Sequence, residues 1–100
     1  MQETKVVGGK NHYHVYVDRP SKWQNPFSYR ADANKLGLIP CNTPEEAKEK
    51  YRNWITNGDG QHLLRDLKEL RGKKLGCWAY PKPSHAEVLV ELVNEKFKNG

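Results

Sequence analysis

The chain has 100 residues, 36% of them hydrophobic, with a mean hydropathy of −0.95, which suits a single domain with a small core and excludes a membrane span. Its 17 Lys and Arg against 12 Asp and Glu give a formal net charge of +5. That favours anionic partners, although a solvated basic surface accounts for it equally well and the charge is below that of most dedicated DNA binders.

The charge excess is concentrated in residues 1–40, with six cations against three anions. Two cysteines, Cys41 and Cys77, are far apart in sequence, form no CxxC pair and share no zinc-finger spacing with the four histidines. Thiols are therefore expected rather than a bridge, with no metal and no cofactor. Residues 1–5 carry no signal-peptide pattern, which sets a cytoplasmic location as the expectation.

Residues 1–11 read as an extended lead-in with Gly8-Gly9 as a turn. Residues 12–18 alternate, placing Tyr13, Val15 and Val17 on one face and His12, His14, Tyr16 and Asp18 on the other, which predicts a strand that Pro20 ends. His12 and His14 then belong to the polar face of an edge strand. Residues 19–42 are rich in loop formers, with a short strand expected near residues 36–39.

Thr43, Pro44 and Glu46 form a helix start: a cap, a proline at the first helical position and a capping-box acid. Ala47, Tyr51, Trp54 and Ile55 follow at helical spacing until Asn57-Gly58. A second helix carries Leu63, Leu64, Leu67 and Leu70 on one stripe and ends before Gly72. Residues 74–80 predict a second strand, and Pro81 and Pro83 a rigid link. Ser84 and Glu87 then open a last helix with Leu89, Leu92, Val93 and Phe97 inward. This strand–loop–helix–helix–strand–helix order predicts a small single-domain α/β unit, Rossmann-like, with a short, mostly parallel sheet and about three helices.

In such a sheet, ligands gather beyond the carboxyl ends of the strands. Two unusual loops leave those ends. The first, Arg19-Pro20-Ser21-Lys22-Trp23-Gln24-Asn25-Pro26-Phe27, crowds cations, an amide and two large rings into a segment whose prolines forbid a helix interior or a central strand. The second leads into the helix tip at Ser84 and His85, where backbone N–H groups favour an anion. The candidate ligand-binding set is therefore Arg19, Ser21, Lys22, Trp23, Asn25, Phe27, Ser84 and His85. Each has a plainer role as well: Ser84 as helix cap, Trp23 and Phe27 as core plugs, Asn25 as a turn former. His85 is the general acid–base candidate. Cys77 paired with it is a nucleophile candidate, against a simpler role as a small buried side chain.

The segments Val15-Tyr16-Val17-Asp18-Arg19-Pro20-Ser21-Lys22-Trp23-Gln24-Asn25-Pro26-Phe27 and Leu70-Arg71-Gly72-Lys73-Lys74-Leu75-Gly76-Cys77-Trp78, with His85 and the helix over residues 89–94, resemble an uncharacterised phage and bacterial family, domain of unknown function 4326. The resemblance runs over about residues 6–94. It implies a compact cytoplasmic domain, often phage-encoded, with no established activity. Where the family pattern carries glycine this chain has Asp18 and Gln24, and where it carries further cysteines this chain has Ala79 and Ser84. Only Cys77 and His85 of that second cluster remain, which lowers the expectation of catalysis.

Three readings fit the sequence. The first is a domain binding a nucleotide or other phosphate-containing anion at the rim shared by the two loops. The second is a phage accessory protein that binds and modulates a host protein through an exposed Trp23, Phe27 or Tyr29. The third is a nucleic-acid-binding module in which Arg19, Lys22, Arg30 and Lys35 alternate with those rings. The first requires parallel strands and a cleft that brings Arg19, Asn25 and His85 together.

Overall fold

A computed structural model describes residues 4–8, 12–18, 21–78 and 84–97. Arg19, Pro20, Ala79, Tyr80, Pro81 and Pro83 lie outside the described residues, and with them part of each unusual loop.

The central sheet has three strands, β1 (Lys5–Gly8), β2 (Val15–Tyr16) and β5 (Lys74–Cys77), in the order β1-β5-β2. Both pairings are parallel, with Val6 and Val15 each in register with Leu75. The middle strand is the buried one, with Leu75, Gly76 and Cys77 all enclosed, as a parallel strand covered on both faces should be. The residues expected as a lead-in are thus an edge strand.

The strand expected over 12–18 is regular only at Val15 and Tyr16. Its bonding to β5 nevertheless extends from His14 N–H to Lys74 O (2.8 Å) through Val17 N–H to Gly76 O (3.1 Å). Gly76 is required where it stands, because a Cβ there would come within 2.6 Å of the Tyr13 ring.

A second parallel pair joins β3 (Phe27–Ser28) to β4 (Ile39–Pro40). Between them Ala33–Leu36 form a 3-10 turn ended by Gly37 at φ 76°, a left-handed value suited to glycine. That turn takes up the start of the strand expected at residues 36–39 and displaces it to Ile39. Helix α1 (Pro44–Asn57) starts as expected, with Thr43 Oγ1 accepting the Glu46 N–H at 3.0 Å. It buries Ala47, Tyr51 and Ile55, four residues apart. Its end is tied at Trp54 O, which accepts from both Gly58 and Gly60 N–H at 3.0 Å.

The second helical stretch, Gln61–Leu70, is a 3-10 helix that buries Leu63, Leu67 and Leu70. Thr4 fastens the start of β1 to the turn between the 3-10 helix and β5, donating from Oγ1 to Leu70 O and accepting the Gly72 N–H. Helix α2 (His85–Phe97) lies against β1 and β5, and α1 stacks on α2 and on the 3-10 helix. Val17, Trp23, Tyr51, Leu75, Cys77 and Leu89 belong to one core where sheet and helices meet. Among the described residues the architecture is α/β, with α1, α2 and the longer 3-10 helix packed on short parallel sheets. No helix among the described residues is long and apolar enough to cross a membrane.

Candidate functional site

The parallel pairing of β2 with β5 sends both chain directions to the same rim. There a cleft of about 460 Å³ opens between the end of β2, the segment 25–30, the start of α1 and the tip of α2. Tyr16, Phe27, Tyr29 and Trp78 contribute rings to its lining, Arg30 and Lys48 contribute cations, and Asp18, Asn25, Ser84 and His85 add polar groups.

Asn25, Phe27, Ser84 and His85 are the expected residues that meet at this cleft. Asn25 arrives with its polar atoms already engaged. Its Nδ2 donates to Ala47 O at 3.1 Å, and its Oδ1 accepts the Phe27 N–H at 2.9 Å. It fixes the loop onto α1, the side-chain-to-backbone role that asparagine has in turns.

Ser21, Lys22 and Trp23 are placed elsewhere. Ser21 Oγ accepts the Trp23 N–H, and Trp23 is only 2% exposed, in the core. Lys22 turns to the 3-10 helix, where its Nζ sits 3.2 Å from Asp66 and 2.8 Å from Glu69. Arg19 lies outside the described residues.

At the tip of α2 the helix satisfies itself. Ser84 Oγ accepts the Ala86 N–H at 3.1 Å, and Glu87 Oε1 accepts the Ser84 N–H at 2.9 Å. This is the expected capping box, and it occupies donors that an anion would otherwise use. Among the described residues, the cations facing the cleft are Arg30 and Lys48. Arg30 pairs with Asp32 at 3.1 Å, and Lys48 with Glu87 at 3.8 Å.

His85 is 5% exposed, and its Nε2 lies 2.8 Å from Val17 O. A carbonyl only accepts, so Nε2 carries the proton and the lone pair of the neutral ring is on Nδ1. Burial holds this imidazole below its usual pKa, partly offset by the Val17 bond and the Asp18 charge. The ring also stands edge-on to Tyr51, with centroids 4.9 Å apart. Cys77 is fully enclosed, with Sγ 2.8 Å from Ser84 Oγ.

Asp18 Oδ2 accepts the Trp78 N–H at 2.8 Å. The ligating atoms of Asp18, Cys77 and His85 all lie within 4.8 Å of one another. Asp18, Tyr16, Trp78 and Lys48 were not among the residues expected at the site. The signal for two of them was the alternation of β2, which turns Tyr16 and Asp18 away from the face of Val15 and Val17.

The family model described as Domain of unknown function (DUF4326) matches residues 2–95. The chain belongs to that family. It is 28% identical over 90 residues to an uncharacterised 12.4 kDa protein from the nrdA-td intergenic region of Enterobacteria phage T4, covering 90% of this chain and 76% of that protein. It is also 36% identical over 58 residues to an uncharacterised protein of Acanthamoeba polyphaga mimivirus, covering 58% of this chain and 35% of that protein. No solved structure matches the chain. The DUF4326 match takes in all the described residues that line the cleft.

Proposed function

We propose that this DUF4326 domain binds a nucleotide, or a similar ligand joining a flat ring to a phosphate, in the cleft at the rim of β2 and β5. The observation that carries the reading is that four aromatic side chains and two cations line one cleft. A volume of about 460 Å³ falls within the range of small-ligand sites. Trp78 is 56% exposed and Tyr29 is 40% exposed, so both rings have surface on which a base can stack.

The ion pairs of Arg30 and Lys48 are partly exposed. Such pairs contribute about 0–1 kcal/mol, so a phosphate can exchange for Asp32 or Glu87 at little cost. A phosphate offers more charge and more acceptor oxygens than a single carboxylate, and guanidinium matches its geometry. The anion is therefore held by these two side chains more than by the self-capped tip of α2.

Thermal-shift and calorimetric titration against nucleoside mono-, di- and triphosphates, with inorganic phosphate as a control, tests the proposal. A rise in melting temperature with nucleotide is expected, weakened in Arg30→Gln and Lys48→Gln. A flat response across the panel at about 1 mM, where even a weak site of ~4 kcal/mol would be half filled, overturns it.

A further inference from the structure

We propose that Asp18, Cys77 and His85 form a divalent-metal site of the zinc type at the floor of the cleft. One carboxylate, one sulfur and one imidazole, drawn from positions spread along the chain, bring their ligating atoms within 4.8 Å of one another. Zinc bonds of about 2.0–2.3 Å hold neighbouring ligand atoms roughly 3.3–3.8 Å apart. Small side-chain rotations therefore close the set around an ion.

Each ligand is also held from behind. His85 Nε2 donates to Val17 O at 2.8 Å, so ligation through Nδ1 would keep that bond and ligation through Nε2 would replace it. Trp78 N–H occupies one oxygen of Asp18 at 2.8 Å, leaving the other available. Ser84 Oγ accepts the Ala86 N–H at 3.1 Å and lies 2.8 Å from the Cys77 sulfur, and its own proton can turn toward a sulfur that has lost its proton. Once a metal ion deprotonates the thiol, that hydroxyl is placed to donate to the sulfur. Outer partners of this kind orient metal ligands and tune their basicity.

The donor set selects the ion. Sulfur with imidazole suits zinc, whereas magnesium and calcium require oxygen. Three protein ligands leave a fourth position, and Asp18 and His85 both line the cleft. An open fourth position is the arrangement of an ion that binds a ligand or activates water, in contrast to a closed four-ligand structural site. A dication here would balance the Asp18 carboxylate and the Cys77 thiolate, so this end of the cleft would no longer repel an anion.

The test uses the ion alone, so its failure leaves the nucleotide proposal standing, and the reverse also holds. Chelator-stripped protein titrated with Zn²⁺ is expected to take up one equivalent. Co²⁺ in its place is expected to give thiolate-to-metal charge-transfer absorption, abolished in Cys77→Ser. Asp18→Asn keeps an acceptor for the Trp78 N–H and is expected to lower Zn²⁺ affinity about tenfold or more, with unchanged far-ultraviolet circular dichroism. If Cys77→Ser fails to fold, Asp18→Asn decides alone. Absence of stoichiometric uptake at tens of micromolar Zn²⁺ overturns the site. So does uptake that Asp18→Asn leaves intact, which would assign the ion to other ligands such as the exposed His12 and His14.

Discussion

Within residues 21–30 the two halves face different surroundings. Ser21, Lys22 and Trp23 turn toward the core and the 3-10 helix Gln61–Leu70, while Asn25, Phe27, Tyr29 and Arg30 turn toward the cleft. Sequence alone makes them look alike, since both halves join a cation to a large ring. Location separates them. Trp23 is 2% exposed and its carbonyl accepts the Tyr51 hydroxyl at 2.9 Å, so the first half is an anchor. The second half lies on the anchored base with its rings open to the cleft. An aromatic, basic loop is therefore not one binding surface, because part of its apolar area is spent holding the rest in place.

The largest expected effect comes from removing the anchor. Trp23→Ala leaves a large hole in the core and is expected to cost about 3–5 kcal/mol, much of the stability of a domain this size. Trp78→Ala, at the exposed side of the cleft, is expected to stay within about 0.5 kcal/mol while weakening nucleotide binding. Urea unfolding of both variants measures the contrast. Equal losses would erase the division into anchor and wall.

The link between the halves and the helices is tested next. Tyr51→Phe removes the donor to Trp23 O at a buried position, with an expected loss of about 1–3 kcal/mol for the stranded carbonyl. Burial also pushes the Tyr51 phenol far above its ordinary pKa, so alkaline titration up to ordinary basic pH should leave that bond intact. A Tyr51→Phe protein as stable as the parent would mean that the carbonyl finds another donor.

His85 joins the two motifs by its bond to Val17 and makes that junction sensitive to pH. Burial lowers its pKa in the folded chain from the ordinary 6.5. Between the folded value and 6.5 the unfolded chain binds the proton and the folded one does not. Stability therefore rises with pH in that window, is complete above about pH 6.5 and is lost as pH falls, with a slope of up to about 1.4 kcal/mol per unit. Unfolding midpoints in chelator from pH 7.5 downward check this. A flat profile from pH 7.5 to 5 would show that the ring is not buried as a neutral donor.

Much of this arrangement was legible where the signals are local. The Thr43 cap, Pro44 and Gly58 bound α1, and the Ser84–Glu87 box opens α2, because capping depends on residues three or four apart. The helical connection between two apolar strands implied their parallel pairing, and the α/β architecture followed. Other features depend on distant partners. The sheet position of β1 is defined by its pairing with β5, Val6 against Leu75, which a four-residue strand cannot announce. Leucine spacing in residues 63–70 fits an α-helix and a 3-10 helix alike over so short a run. The turning of Lys22 away from the cleft depends on Asp66 and Glu69, more than forty residues on. The grouping of Asp18 with Cys77 and His85 arises from the register of β2 on β5 and from the contact of His85 with Val17 O.

The smallest effects give the sharpest comparison of the two cations. Lys22→Gln breaks the pairs to Asp66 and Glu69, and partly exposed pairs of this kind contribute about 0–1 kcal/mol. It should lower stability slightly and leave nucleotide affinity unchanged, since Lys22 does not line the cleft. Arg30→Gln breaks only the pair to Asp32 on a more exposed surface. Its stability should hardly move, yet nucleotide affinity should fall about tenfold, the loss of ~1.4 kcal/mol expected when one charge-assisted bond to a phosphate goes. Measuring both properties on both variants separates the roles even if each change is small, because the pattern must cross over. If Lys22→Gln were the variant that lost affinity, the anion would sit against the 3-10 helix, and the division of the loop would have to be drawn the other way round.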